Sequence, residues 1–171
     1  TGVQTCALPI LSLVASNDSS LMGNVAVNAH GTGHNILKSI AVYGANASGK
    51  SNLFKALECM RRQVLHPLGQ PLVTAFTPFL LDRGMADKPV TMEVTFIAKE
   101  ISYRYGYSVS PSSRQVIEEW LYYFPKGRQR LLFERSTKLI KGEPQIHLKF
   151  GDDWKGDAKS LVGRTRSDAL F

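Results

Sequence analysis

A chain of 171 residues with 43% apolar and 20% charged residues has the composition of a folded domain, which excludes a disordered tail. It contains no run of about 18 apolar residues, which excludes a membrane-spanning helix. The formal charge of +7 favours polyanionic partners such as nucleotides or nucleic acid, and it is equally what a well-solvated basic surface would carry.

The first ten residues, TGVQTCALPI, read residue for residue as the translation of a sequencing-library adapter. They lack the basic start and long apolar stretch of a signal peptide, and no Met opens them. Thr1–Ile10 is therefore set apart as a non-native segment, and the expectation is that the gene's own start is missing. Cys6 falls with that segment, which leaves Cys59 as the one native thiol and rules out a disulfide within the chain. A lone cysteine fits a reducing cytoplasm. Cys59 lies beside the apolar face of an expected helix and reads as a packing thiol, not a nucleophile.

In chain order, "LSLVAS" (Leu11–Ser16) reads as a strand end whose partner lies outside the sequence. Asn17–Asn35 is rich in Gly, Ser and Asn and reads as loop, with a short apolar alternation at Val25–Val27. "ILKSIAVYG" (Ile36–Gly44) is β-rich, almost continuously apolar and ends at a glycine, as a buried central strand does. From Lys50 the period changes, with Leu53, Leu57, Met60 and Val64 at helical spacing, until Pro67 stops the helix. The second half alternates instead. Val90–Ile97, Ile101–Val109 after a three-residue turn, Val116–Phe124, Arg130–Arg135 and Ile146–Phe150 are short runs separated by turn chemistry. They read as an antiparallel meander with one wet face.

Gly44, Gly49, Lys50 and Ser51 satisfy the phosphate-loop pattern G-x-x-x-x-G-K-[ST], between an expected strand and an expected helix. Four such positions coincide by chance about once in 200 chains of this length. Glycines let the backbone wrap an anion so that several N–H groups point inward, and the positive end of the following helix faces the same anion. The residues expected to hold ATP are Gly44, Ala45, Asn46, Ala47, Ser48, Gly49, Lys50, Ser51 and Asn52. Lys50 would reach the β- and γ-phosphates, and the Ser51 hydroxyl would hold Mg²⁺.

Asn46 and the continuation "GKSNLFKAL" resemble the ATPase heads of the ABC type found in structural-maintenance-of-chromosomes and RecF proteins. Together with "LSLVAS", "PFLLD", "YRYGY", "EEWLYYFPKGRQRLLFER" and "TRSDALF", the chain from 11 to 171 is similar to bacterial AAA family ATPases grouped with abortive infection and phage defence. The resemblance implies an α/β P-loop NTPase fold with an ABC-type N-terminal lobe, in which strand, P-loop and helix are followed by an antiparallel β layer. On this reading residues 11–66 carry the first part and 67–171 the β-rich part of an incomplete head. The resemblance also implies a first strand before Leu11, and a Q-loop, helical insertion, signature, Walker B Asp-Glu and late His after Phe171. A parent protein of this kind would hydrolyse ATP as a head-to-head homodimer and act on an effector, while this stretch alone would be inactive.

No catalytic residue is read within the chain. "FLLD" (Phe79–Asp82) imitates a Walker B strand, but it follows Pro78 and continues as Arg83 where an acid should stand. Glu118 and Glu119 fall on opposite faces of an alternating strand. His30 and His34 are separated by Gly, Thr and Gly, so they do not share a helical face for zinc. Tyr103, Tyr105 and Tyr107 share one strand face and read as packing residues, since Tyr105 occupies the glycine position of an RNA-recognition signature. Arg61–Arg62, Lys126–Arg130 and Gly163–Arg166 read as solvated basic turns and faces, with at most a weak nucleic-acid contact. The alternative to an ATP hydrolase is an ATP-sensing or nucleic-acid-binding module without hydrolysis.

Overall fold

The computed structural model describes residues 10–18, 20–27, 33–67 and 88–171. Two short strands open it, β1 (Val25–Ala26) and β2 (Ile36–Leu37), paired antiparallel with Val25 opposite Leu37. On its other side β2 takes an isolated bridge from Val14 to Ile36, so "LSLVAS" makes a strand-like contact, but its partner is Ile36 of this chain and not a strand outside the sequence. Helix α1 (Lys50–Leu65) follows. The sheet comes next, with β3 (Val90–Ala98), β4 (Ile101–Ser110), β5 (Gln115–Tyr123), β6 (Arg130–Ile140) and β7 (Glu143–Phe150). A one-turn helix, α2 (Ala158–Val162), is capped by the Asp157 carboxylate, which accepts from the Lys159 and Ser160 N–H groups.

The five strands lie in the order β3-β4-β5-β6-β7, every pair antiparallel, which is the meander expected from the alternation. Two hairpins close through two-residue turns with both residues at positive φ. These are Lys99 (47°) and Glu100 (65°) between β3 and β4, and Lys141 (54°) and Gly142 (85°) between β6 and β7. Such turns match the right-handed twist of the strands they join. The expected three-residue turn is thus one residue shorter. The last two strands also run further than their apolar cores suggest, because Lys141–Gly142 is the point at which the chain reverses.

Two further expectations change. The run Ile36–Gly44 is a strand only at Ile36–Leu37, and Ile40, Val42 and Tyr43 are 40%, 37% and 89% exposed. An apolar run is buried only when neighbours lie on each side, and among the described residues no strand pairs with 38–43. The helix has the expected extent, but its stripe is rotated. Met60 and Gln63 are buried, while Leu57 and Val64 are exposed together with Phe54 and Leu65.

Met60 meets Tyr107, Val109, Val116 and Leu170 in one buried cluster, against which Val90, Met92, Val94 and Tyr105 pack. The tyrosines of β4 are thus packing residues, as read, and Tyr103 stacks between Phe96 and Tyr123 at 5.4 and 6.4 Å. A second, aromatic cluster joins Phe133, Phe150, Trp154 and Phe171, with Phe133 and Phe171 centroids 4.8 Å apart.

The expectation of one wet face fails along β4, where Gly106–Ser110 is buried throughout. The residues that alternation places opposite the tyrosines are small there (Gly106, Ser108 and Ser110), and Trp120 lies directly across Gly106 on the neighbouring strand. The indole donates from Nε1 to Glu93 at 2.9 Å, which fixes the ring over the glycine. A Cβ at Gly106 would stand 2.4 Å from Trp120 Cζ2 and 2.9 Å from the Met92 carbonyl oxygen. The carbonyl belongs to the sheet ladder and cannot move aside. Gly106→Ala is therefore expected to lower stability by about 1–3 kcal/mol, the usual cost of overpacking. Thermal melts of the variant and parent check this, and equal midpoints would refute the close approach.

Candidate anion site at the start of the helix

The approach to the loop is anchored by Asn24. Its side chain donates to the Ser39 carbonyl at 2.8 Å and accepts from the Ser39 N–H at 3.0 Å and hydroxyl at 2.8 Å. The Asn24 carbonyl also accepts from the Lys38 N–H at 2.8 Å. Asn24 sits in a stretch that reads as ordinary loop, and no pattern in it signals this clamp.

From Gly44 the backbone reverses. Ser48 N–H donates to the Ala45 carbonyl at 3.2 Å, Ala47 sits at φ 62° and Gly49 at φ 93°. Left-handed residues of this kind are a feature of the backbone nests that bind anions. Gly49 is the N-cap of α1, and a side chain there would be strained. A Cβ at Gly44 would come within 3 Å of only the Ser48 hydroxyl, at 2.7 Å, which can rotate away.

The helix begins with Asn52 and Leu53 N–H donating to the Gly49 carbonyl at 2.9 and 3.3 Å. Its first turn has no side-chain cap and no acidic residue. The positive end of the helix dipole is therefore not offset locally. Lys50 adds a full charge at the same point. Its ammonium donates to the Gly44 carbonyl at 2.6 Å, the Ala45 carbonyl at 2.5 Å and Ser48 Oγ at 3.4 Å, so the side chain folds back into the loop. Lys50 is thus held against Gly44 and Ala45, with Gly49 next to it in the chain. Ser51 and Asn52 stand exposed on the first turn beside it. A basic side chain, an uncapped helix start and the Ser51 hydroxyl thus stand close together in the chain here.

The remaining candidates separate from this site. Asp82, with all of Phe79–Asp82, and His30 lie outside the described residues. Among the described residues no group of three His, Cys, Asp or Glu side chains could hold a metal ion. Burial pushes the Cys59 thiol up, with Arg62 opposing weakly, so it is not an activated nucleophile. The basic clusters carry carboxylate partners at the surface. Arg61 and Arg62 pair with Glu58 at 2.8 and 2.7 Å, Arg130 with Asp153 at 2.9 Å, and Arg166 with Asp168 at 2.7 Å. Hydrogen bonds from Arg61 and Arg62 hold the Glu58 carboxyl down at about 2.

A second polar centre escapes the sequence reading. Glu119 and Arg135 are 1% and 2% exposed and lie 3.4 Å apart on β5 and β6. The Glu119 carboxylate also accepts from the Tyr105 hydroxyl at 2.8 Å and from the Phe171 N–H at 3.1 and 2.9 Å. Arg135 donates to the Ala169 carbonyl at 2.6 Å and to the Arg166 carbonyl. Burial raises the Glu119 carboxyl above its ordinary range, and the three donors around it oppose that shift. The available signal was the alternation itself. Of two adjacent glutamates on a strand with one buried face, one must point inward.

A family model described as "AAA domain, putative AbiEii toxin, Type IV TA system" matches residues 39–157, more than half of the chain, including the loop, α1 and all five strands of the sheet. No curated protein and no solved structure matches the chain.

Proposed function

The chain belongs to this AAA-domain family, and on that premise we propose that Gly44–Asn52 binds the triphosphate of ATP. The observation that supports this reading is the Lys50 ammonium, held 2.6 and 2.5 Å from two carbonyls inside the loop at an uncapped helix start. On binding, the ammonium would exchange those carbonyls for β- and γ-phosphate oxygens, and the loop N–H groups would take the remaining charge. Ser51 would supply the protein's hydroxyl ligand to Mg²⁺ arriving with the nucleotide, and Mg²⁺ would neutralise charge on the phosphates. Asn52 and the Asn46 side of the loop would frame the phosphates without bearing charge.

The family is one of nucleotide-binding ATPases, and the finer reading is a partial head of the ABC type. It is supported by the strand, loop and helix order followed by an antiparallel sheet. Ile40, Val42, Phe54 and Leu57 present apolar surface on the loop's own strand and helix. In such a head that surface would be covered by further core strands carrying the catalytic carboxylate. The parent would work in the cytoplasm as a head-to-head homodimer that switches an effector, in keeping with the abortive-infection name of the family. Nucleic acid would contribute at most salt-sensitive contacts at Lys126–Arg130.

Lys50→Ala removes a charge-assisted contact worth about 1.5–3 kcal/mol, so ATP affinity measured by calorimetry should fall at least about tenfold. An unchanged dissociation constant would refute the phosphate-loop reading. Ser51→Ala should weaken binding in the presence of Mg²⁺ and leave metal-free binding nearly intact, because the hydroxyl serves the metal. Equal losses with and without Mg²⁺ would assign Ser51 another role. Turnover is the third measurement. Positioning supplies most of phosphoryl transfer, so a cradle without a carboxylate to orient water should release phosphate no faster than Lys50→Ala. Robust release that Lys50→Ala abolishes would place a catalytic carboxylate within these residues.

A further inference from the structure

The segment Arg166–Phe171 is fastened to the sheet along its whole length. The Ser167 carbonyl accepts from the Val116 N–H at 2.8 Å, and the Ala169 carbonyl accepts from Arg135 at 2.6 Å. The Phe171 N–H donates to both oxygens of the Glu119 carboxylate. Ala169 and Leu170 are buried, and Leu170 belongs to the same cluster as Met60 of α1. The same cluster contains Tyr107, whose hydroxyl donates to Gln63 of α1 at 2.6 Å. The ring of Tyr107 lies 6.1 Å from that of Tyr105, which donates to Glu119. The helix that begins at the phosphate loop and the segment that ends at Phe171 therefore share one buried wall, apolar through Met60 and Leu170 and polar through Gln63, Tyr107, Tyr105 and Glu119.

We propose that Arg166–Phe171 is a strap that reports the occupancy of the phosphate loop, with Glu119 and Arg135 as its positioning pair. This rests on the nucleotide reading of the loop. An ammonium leaving two loop carbonyls for phosphate oxygens changes what holds the first turn of α1, and α1 is a continuous helix of 16 residues. A displacement at Lys50 is carried to Met60 and Gln63, and there it meets Leu170 and Tyr107 within a close-packed cluster that does not deform continuously. Coupling is reciprocal, so a loosened strap must in turn change nucleotide affinity.

The Val116 and Phe171 amides are the reporters, because each bonds across the strap-to-sheet contact. Amide exchange of the full chain is measured with and without ATP and Mg²⁺. The expected result is a change of about fivefold or more at both amides on nucleotide binding, with β6 and β7 amides such as Lys149 unchanged. Gln63→Ala, without nucleotide, should speed exchange at Phe171 by about tenfold while Lys149 again stays unchanged. Leu170→Ala, which leaves the ion pair intact, should do the same and shift ATP affinity severalfold. If ATP binds and neither amide responds, the strap does not report the loop. If both helix-side and strap-side variants leave Phe171 unmoved, the shared wall carries no coupling, and the proposal falls whether or not ATP binds. If the variants couple but ATP does not bind, the nucleotide reading fails and takes the reporting role with it, while the mechanical link stands.

Discussion

The hydroxyl of Tyr107 and the carboxamide of Gln63, 2.6 Å apart and both buried, fix the helix to the sheet. The position of the loop follows from where α1 points, and α1 meets the sheet through Met60 and Gln63 near its far end. A polar contact in an otherwise apolar wall specifies geometry more sharply than packing does. Methionine tolerates several arrangements, whereas the buried hydrogen bond must keep its distance and angle and so narrows the rotation of the helix about its axis. That rotation explains why Leu57 and Val64 face outward despite their helical spacing with Met60.

Glu119 and Arg135 use the same logic on the other side of the cluster. Taking both charges out of water costs several kcal/mol, roughly what their attraction returns, so the pair is not an economical source of stability. Replacing one member alone would strand the other and cost about 3–5 kcal/mol. What the pair does provide is a set of directed bonds to backbone atoms at Arg166, Ala169 and Phe171, which apolar residues could not supply. Arg135 Nε is buried without a partner among the described residues, so even this network is not fully satisfied.

Much of this was legible because the relevant signals are local. Strand alternation, turn residues and helical spacing located α1 and the first three strands of the sheet within a residue or two and the last two less closely, and the spacing of Gly44, Gly49 and Lys50 located the loop. What could not be read were relations between distant segments. Burial of Ile36–Gly44 depends on neighbouring strands, which a run of apolar letters does not supply. The rotation of α1 depends on Tyr107, and the inward turn of Glu119 on the Phe171 N–H, 52 residues later. Asn24 as the clamp on Ser39 had no pattern at all, since one Asn in a polar loop looks like any other.

The same division between near and far contacts bears on how the chain reaches this state. Each strand of the sheet pairs with its sequence neighbour, so the meander assembles through successive short closures. The bond from Tyr107 to Gln63 spans 44 residues and that from Phe171 to Glu119 spans 52. Closing such loops is entropically dearer, and neither bond has a surface to form on until β4 and β5 exist. In folding order, then, the sheet is the template, and the helix that carries the phosphate loop is among the last pieces laid upon it.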